Sequence, residues 1–262
     1  MKLKIMTQNV MCWQTEGGEH PVRRERMKRL FARLDPDLIG AQEVTDRWRD
    51  YLEEDLPGFG SVFRFRGEDD HEATPLYYKK DRFEAVGEGV FWLSETPEKE
   101  SFGPGAGCLR TAIWAILKEK ASGERLLFVN THLDHRSNEA RILGARLLRD
   151  LITSHGDIPA ILTGDFNDTS FSDAVKTVKE FMNDSRLAAK ETTETNTHAS
   201  KYGGTADASI DYVFVRGLAP TRCSVEKECD GPYAQSDHYA VFVEAETCKD
   251  GGISPAVQEH IR

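Results

Sequence analysis

Apolar and polar positions along this chain fall into short blocks, and each block predicts one element. Leu3, Ile5 and Thr7 alternate with Lys4, Met6 and Gln8, the two-residue period of a half-buried strand ending at Asn9. From Val22 to Leu34, the apolar set Met27, Leu30, Phe31 and Leu34 recurs at helical spacing, and Asp35-Pro36 stops the helix. Residues 37–41 predict a second strand running into Gln42-Glu43, followed by a helix from Asp46 to Leu56 that Pro57-Gly58 ends. Strand-like runs occupy 61–66, 74–79 and 83–93, and the Pro-, Gly- and Glu-rich stretch 94–108 reads as a long loop. Residues 110–133 read as a hairpin turning near Ala121-Ser122-Gly123. Ser137 to His155 reads as a helix with Ala140, Leu143, Leu147 and Leu151 on one face. The apolar run 159–163 predicts a buried strand that ends in Gly164-Asp165-Phe166-Asn167. A helix over 171–182 and strands near 210–215, 222–228 and 239–246 complete the pattern.

Strands outnumber helices, and the helices lie singly between strand groups. That order predicts an α/β protein in which sheet packs on sheet and helices lie outside. No composition shift marks a linker, so residues 1–247 read as one domain and 248–262 as a peripheral tail. A chain of 262 residues, 39% hydrophobic, can bury a sizeable core. It has no apolar run of about 18 residues, so no membrane-spanning helix is expected. Met1–Met6 leads into a strand pattern with no signal-peptide character, and a cytoplasmic protein is expected. The five cysteines are scattered without a CxxC pair, which argues against a zinc site or a disulfide framework. Cys12, close to Asn9, reads as a small buried hydrophobe. A net charge of −10 repels nucleic acid on average. The basic run Arg23, Arg24, Arg26, Lys28 and Arg29 reads as the solvated face of a helix.

Polar clusters end or interrupt the apolar runs at Gln8-Asn9, Gln42-Glu43, Asn130–Asp134, Gly164–Asn167 and Ser236–His238, and Asp211 sits inside an apolar strand. Each has an innocent reading: Asp165 and Asn167 as turn residues, Glu43 as a helix-flanking charge, His132 as a hydrogen-bonded core histidine. Asp211 is harder to dismiss, because a buried carboxylate needs a partner, and His238 is the natural candidate. Together the clusters make a coherent site. Asn9, Glu43 and Asp237 offer the oxygen ligands that a hard cation such as Mg²⁺ prefers. An Asp–His pair supplies acid–base or electrostatic function, while Asn130, His132 and Asn167 supply donors for phosphoryl oxygens. This is the equipment of metal-assisted phosphate ester hydrolysis.

The motifs TQNV (Thr7–Val10), QEV (Gln42–Val44), NTHLDH (Asn130–His135), GDFN (Gly164–Asn167), IDYVFV (Ile210–Val215) and SDH (Ser236–His238) appear in one order from residue 7 to residue 238. In that set and order the chain resembles the endonuclease/exonuclease/phosphatase superfamily. The resemblance implies a four-layer αββα sandwich with its site at one end of the paired sheets. It implies that Glu43, with Asn9 and Asp237, holds Mg²⁺ or Mn²⁺, and that Asp165 orients or activates the attacking water. Asn167 would bind phosphate or order the nucleophile, and His132 would donate to phosphate. His238, held by Asp211, would act as base or stabilise the transition state; the resemblance leaves the choice of base between Asp165 and His238 open. Arg110 reads as a contact to substrate phosphate or as a surface charge, and Tyr78 as a packed strand aromatic.

Met11 stands where apurinic endonucleases of this superfamily carry an acidic residue, and the chain is acidic overall, so duplex DNA is disfavoured. No lipid-inserting apolar hairpin is evident. The stretch Phe91–Ser101 and the segments that follow resemble compact bacterial members near the deadenylase-like branch, in which His135 and Arg141 lie near the site or cap the next helix. The expectation is a monomeric Mg²⁺-dependent hydrolase of a phosphodiester or phosphomonoester, acting on a phosphorylated small molecule or a short single-stranded nucleic acid. The alternatives are a true nuclease and an inactive binder of phosphorylated ligands or proteins. The presence of Asn9, Glu43, Asp165, Asn167, Asp211, Asp237 and His238 together argues against the last.

Overall fold

A computed structural model of the chain describes residues 1–193 and 196–248. The expected tail, 248–262, lies outside the described residues apart from Cys248. The elements are β1 (Lys2–Asn9), α1 (His20–Leu34), β2 (Leu38–Gln42), β3 (Val44–Thr45), α2 (Asp46–Asp55), β4 (Phe59–Val62), β5 (Glu72–Ala73), β6 (Leu76–Lys79) and β7 (Phe83–Trp92). Then follow β8 (Thr111–Glu119), β9 (Arg125–His132), α3 (Asn138–Ser154), β10 (Ala160–Asp165), α4 (Asp173–Lys179), β11 (Asn183–Asp184), α5 (Ser185–Ala188), β12 (Glu191–Thr192), β13 (Asp211–Arg216), β14 (Leu218–Glu226) and β15 (Ala240–Thr247).

The strands form a seven-stranded sheet in the order β12-β14-β15-β1-β2-β6-β4 and a six-stranded sheet in the order β11-β13-β10-β9-β8-β7. Three apolar cores separate four layers. Ile5, Leu38, Leu76, Phe128, Ile161 and Val243 fill the space between the sheets. Met27, Leu30 and Phe31 of α1 and Trp48 and Leu52 of α2 pack on the outer face of the first sheet against Met6, Ile39 and Phe242. Ala145, Leu148 and Ile152 of α3 and Val175 and Val178 of α4 cover the second against Val129, Leu162 and Phe214. The alternation in β1 explains this: Leu3 and Ile5 face the inter-sheet core while Met6 faces the helices. The fold is the αββα sandwich.

Strand direction collects the polar clusters at one end. β1 runs parallel to β2, pairing Asn9 with Gln42, and β9 runs parallel to β10, pairing His132 with Asp165. β13 is antiparallel to β10, so it begins where β10 ends, and Asp211 pairs with Asp165. The two sheets are clamped just below this end by Asn130. Its Nδ2 donates to the carbonyls of Ala41, Thr74 and Pro75 at 2.7–3.0 Å, and its Oδ1 accepts from Gln42 Nε2 and Thr163 Oγ1. Opposite it, Gly40 allows the approach: a Cβ there would lie 2.5 Å from Asn130 Oδ1 and 2.1 Å from Thr163 Oγ1.

Two expectations need correction. The basic run of α1 is not a uniformly solvated face, because Arg23 is 0% and Arg26 3% exposed. Arg23 donates to the carbonyls of Gly18, Val10 and Trp13, and Arg26 to Asp230, Tyr202 and the Ala234 carbonyl. A guanidinium carries enough donors to satisfy a crowded loop from inside, which a charge count does not reveal. The strand expected over 61–66 lies instead at 59–62, and the short pair β3–β5 was not anticipated; a two-residue ladder leaves no periodicity to read.

Candidate active site

The site is built where β1, β2, β9 and β10 end and β13 begins. At the end of β1, Met11 N donates to Asn9 Oδ1 at 2.9 Å. That bond fixes the amide, so Asn9 Nδ2 faces two carboxylates, Glu43 Oε1 at 3.0 Å and Asp165 Oδ2 at 3.1 Å. Asn9 therefore presents its nitrogen between the acids, where an oxygen ligand was expected. Glu43 Oε2 accepts from Cys12 N at 2.8 Å. At the end of β10, Asn167 N donates to Asp165 Oδ1 at 2.8 Å, and Asn167 Nδ2 lies 2.9 Å from His132 Nε2 and 3.0 Å from the Leu133 carbonyl. Met11, Glu43 and Asn167 all hold positive φ, at 59°, 59° and 49°. Such backbone is costly for side-chain-bearing residues and collects at functional sites.

Asp165 is the hub. Its Oδ2 lies 3.4 Å from His132 Nε2 and 3.7 Å from His238 Nε2. Asp211 grips the far side of His238, with Oδ1 and Oδ2 at 3.1 and 2.9 Å from Nδ1. Gln8 Nε2 donates to the His238 carbonyl and so ties this segment to β1. Thr197 Oγ1 donates to Asp211 Oδ2 at 2.6 Å, and His198 packs its ring 4.5 Å from that of His238. Sequence reading missed both residues, because 193–209 carries no apolar period; the only signal was a lone Thr-His pair in a polar loop.

Electrostatics assign distinct states. Burial, reinforced by the Asp211 charge, pushes the Asp165 carboxyl upward. Burial opposes the His238 cation, but Asp211 and Asp165 outweigh it and hold His238 protonated. Burial, then Arg110 and Arg66, keeps His132 neutral. The Asn167 amide bond makes His132 Nε2 the acceptor and leaves the proton on the buried Nδ1, so His132 does not present the donor to phosphate that the sequence suggested. Burial opposes the Glu43 anion, yet the Asn9 and Cys12 donors keep it ionised. Burial raises Asp237, and the Glu43 charge adds to the rise.

Two carboxylates that repel each other suit a divalent cation. Glu43 and Asp237 fit one: they are hard oxygen donors, and Glu43 is held ionised. The cluster Asp165, Asp211 and His238 also lies within metal-ligand spacing. There the protonated imidazole has no lone pair left, and the group reads as a hydrogen-bonded charge network. A third grouping, His198, Asp237 and His238, shares Asp237 with the first.

The remaining expected residues divide. Asn130 was expected to donate to phosphate. It is fully buried, and its amide is spent on the inter-sheet clamp, so it has no donor left for a phosphate. Arg110 is not a surface charge: it is 6% exposed, with Nη2 3.2 Å from Nδ1 of the exposed His135. Arg141 ties Asp168 to the Asp134 carbonyl. Tyr78 packs against the inter-sheet core.

Residues 15–238 match the sequence profile of the Endonuclease/Exonuclease/phosphatase family. An endonuclease/exonuclease/phosphatase family protein from Bacteroides thetaiotaomicron superposes with a TM-score of 0.87 at 28% identity, covering 94% of this chain and 97% of that one. The mannosyl-6-phosphatase Bt3783 of Bacteroides thetaiotaomicron superposes with a TM-score of 0.86 at 28% identity over 93% and 99% of the two chains. Carbon catabolite repressor protein 4 homolog 3 of Arabidopsis thaliana is 27% identical over 143 residues, 52% of this chain but only 30% of that protein.

Proposed function

The chain belongs to the endonuclease/exonuclease/phosphatase family, and from that premise we propose that it is a divalent-metal-dependent hydrolase of a phosphoester. The observation that carries this reading is the convergence on Asp165 Oδ2 of Asn9 Nδ2, His132 Nε2 and His238 Nε2. A nucleophilic water and a phosphoryl group both need partners at such a point.

Glu43 and Asp237 would hold the ion, with Asn9 fixing Glu43 in place. A bound Mg²⁺ or Mn²⁺ supplies positive charge to the phosphoryl oxygens. Asp165 acts as the base. Its Oδ1 is anchored by Asn167 N, which leaves Oδ2 among Asn9, His132 and His238 to take the proton of water. His238 serves as a cation for the charge that builds on phosphorus oxygens, because its position between two carboxylates keeps both nitrogens protonated. Asp211, itself fixed by Thr197, sets the angle of that ring. Asn167 and His132 form the opposite wall. The substrate class favoured is a phosphorylated small molecule, as the name of the mannosyl-6-phosphatase relative suggests. A short single strand of nucleic acid comes second. Residues 1–247 would act as one catalytic unit, as a monomer in the cytoplasm.

The test is a panel of p-nitrophenyl phosphate, bis(p-nitrophenyl) phosphate, oligo(A) and plasmid DNA with Mg²⁺ or Mn²⁺. The reading expects turnover of at least one ester, abolished by chelation. No turnover across the panel, with phosphate still bound, would make the protein a binder of phosphorylated ligands.

A further inference from the structure

Four consecutive carbonyls after β1 are each held by a side chain of α1 or α2. Arg23 Nη1 donates to Val10, Trp48 Nε1 to Met11 at 3.2 Å, His20 Nε2 to Cys12 at 3.0 Å and Arg23 Nη2 to Trp13 at 2.8 Å. The three donors touch one another. The His20 and Trp48 rings lie 5.7 Å apart, and the Arg23 guanidinium sits 5.2 Å from the Trp48 ring centre. All three are buried, Trp48 and Arg23 completely. At their other ends, two of these peptides meet the site. Met11 N donates to Asn9 Oδ1 at 2.9 Å, and Cys12 N donates to Glu43 Oε2 at 2.8 Å.

A trans peptide is planar, and its C=O and N–H point in opposite directions. The Met11 carbonyl and the Cys12 N–H are the two ends of one such unit, so the bond from Trp48 fixes the direction of the bond to Glu43. The Val10 carbonyl and the Met11 N–H are the ends of the unit before it, which links Arg23 to Asn9 in the same way. Met11 stands between the two units with φ 59°, the left-handed turn that lets successive N–H groups converge on one side. Asn9 Nδ2 donates in turn to Glu43 Oε1 at 3.0 Å, so both oxygens of Glu43 are set through these two peptides. Each carboxylate oxygen keeps a further lone pair for an ion.

We propose that Trp48 is a positioning residue of the metal centre: its indole N–H, acting through the Met11–Cys12 peptide, sets Glu43 for the divalent ion. This rests on the metal-dependent reading above. Trp48 lies outside the motifs that carry the ligand set and is 0% exposed, so it acts on the ion through Glu43 alone.

The experiment replaces Trp48 with benzothienylalanine, which keeps the bicyclic shape and deletes only the N–H, and compares it with Trp48→Phe, which also empties space. Calorimetric titration is expected to show Mn²⁺ affinity lowered at least about tenfold in both, the lower end of the usual cost of losing a group that orients a ligand. Affinity kept in the benzothienylalanine protein and lost in Trp48→Phe assigns Trp48 to packing and overturns the proposal, as does affinity kept in both. A second measurement is made without metal. Exchange of the Cys12 amide hydrogen is expected to quicken at least about tenfold in the benzothienylalanine protein, the scale of one hydrogen bond, and exchange at the wild-type rate overturns the proposal. If the wild type binds no Mn²⁺, the metal-dependent reading fails, and the amide exchange still decides whether Trp48 directs the Cys12 N–H onto Glu43.

Discussion

His132 and His238 approach the same atom, Asp165 Oδ2, at 3.4 and 3.7 Å, and they do so in different protonation states. His238 is flanked by Asp211 and Asp165, whereas His132 faces Arg110 and Arg66. One carboxylate thus lies between a cation and a neutral acceptor. In the metal-free protein at neutral pH, long-range ¹H–¹⁵N spectra of the imidazoles should show His238 protonated on both nitrogens and His132 neutral with its proton on Nδ1. A neutral His238 would remove the cation from the proposed mechanism.

Arg23 reaches the metal side from within. It is fully buried and bonds the carbonyls of Val10, Trp13 and Gly18, the loop from which Cys12 N donates to Glu43. Arg23→Met should leave Glu43 less well held and weaken Mn²⁺ binding by about 10- to 100-fold, the usual cost of losing a group that orients a ligand. Calorimetric titration with Mn²⁺ measures this; an unchanged affinity in a folded variant would reduce Arg23 to packing.

Asp134 links the long loop to the start of α3. Burial raises its pKa, but the backbone N–H groups of Ser137, Arg136 and Gly107 outweigh burial and hold it below the ordinary value. A depressed carboxyl stabilises the fold above its unfolded pKa, and that stability disappears as pH falls through the folded value. Asp134→Asn should therefore lower stability at pH 7 by about 1–3 kcal/mol, the range for donors left unmet, with the gap to wild type closing towards pH 3. Denaturant melts across pH would show it. A gap that widens in acid would contradict the sign.

Asn130 should behave as a clamp. Asn130→Ala removes the donor to three carbonyls between the sheets and one acceptor of Gln42 Nε2; Thr7 Oγ1 still accepts from Gln42 and Ala41 N still donates to the Pro75 carbonyl, so the cost is about 3 kcal/mol. A chain of this length would lose roughly 6–12 °C in thermal midpoint for that cost. A variant with wild-type melting and weakened phosphate binding would restore the donor role that the sequence suggested.

The layers were legible because β1 and α1 carry clean periods that tertiary packing respects; in α3 the expected face of Leu143, Leu147 and Leu151 is only half-buried, and Ala145, Leu148 and Ile152 take the core. Strand ends were legible too: Asn9, His132 and Asp165 each terminate an apolar run, and parallel pairing brings such ends together. The direction of a side-chain amide was not legible. Asn9 and Asn130 are the same residue type at similar-looking positions, yet one faces the Glu43 and Asp165 carboxylates and the other is sealed between sheets. Thr197 and His198 were hidden because an irregular segment has no period, and its position comes from backbone bonds such as Tyr239 N to the Thr197 carbonyl. The burial of Arg23 was hidden because a charge inside a loop reads like a charge on a surface.

The most direct measurement is phosphoester turnover by wild type and Asp165→Asn at matched Mn²⁺ concentration, on whichever ester of the panel the wild type cleaves best. The account predicts metal-dependent turnover that falls by at least about 10²-fold in Asp165→Asn while Mn²⁺ affinity stays within a few-fold, the signature of a lost base at an intact metal site. Full activity in a folded Asp165→Asn would contradict it.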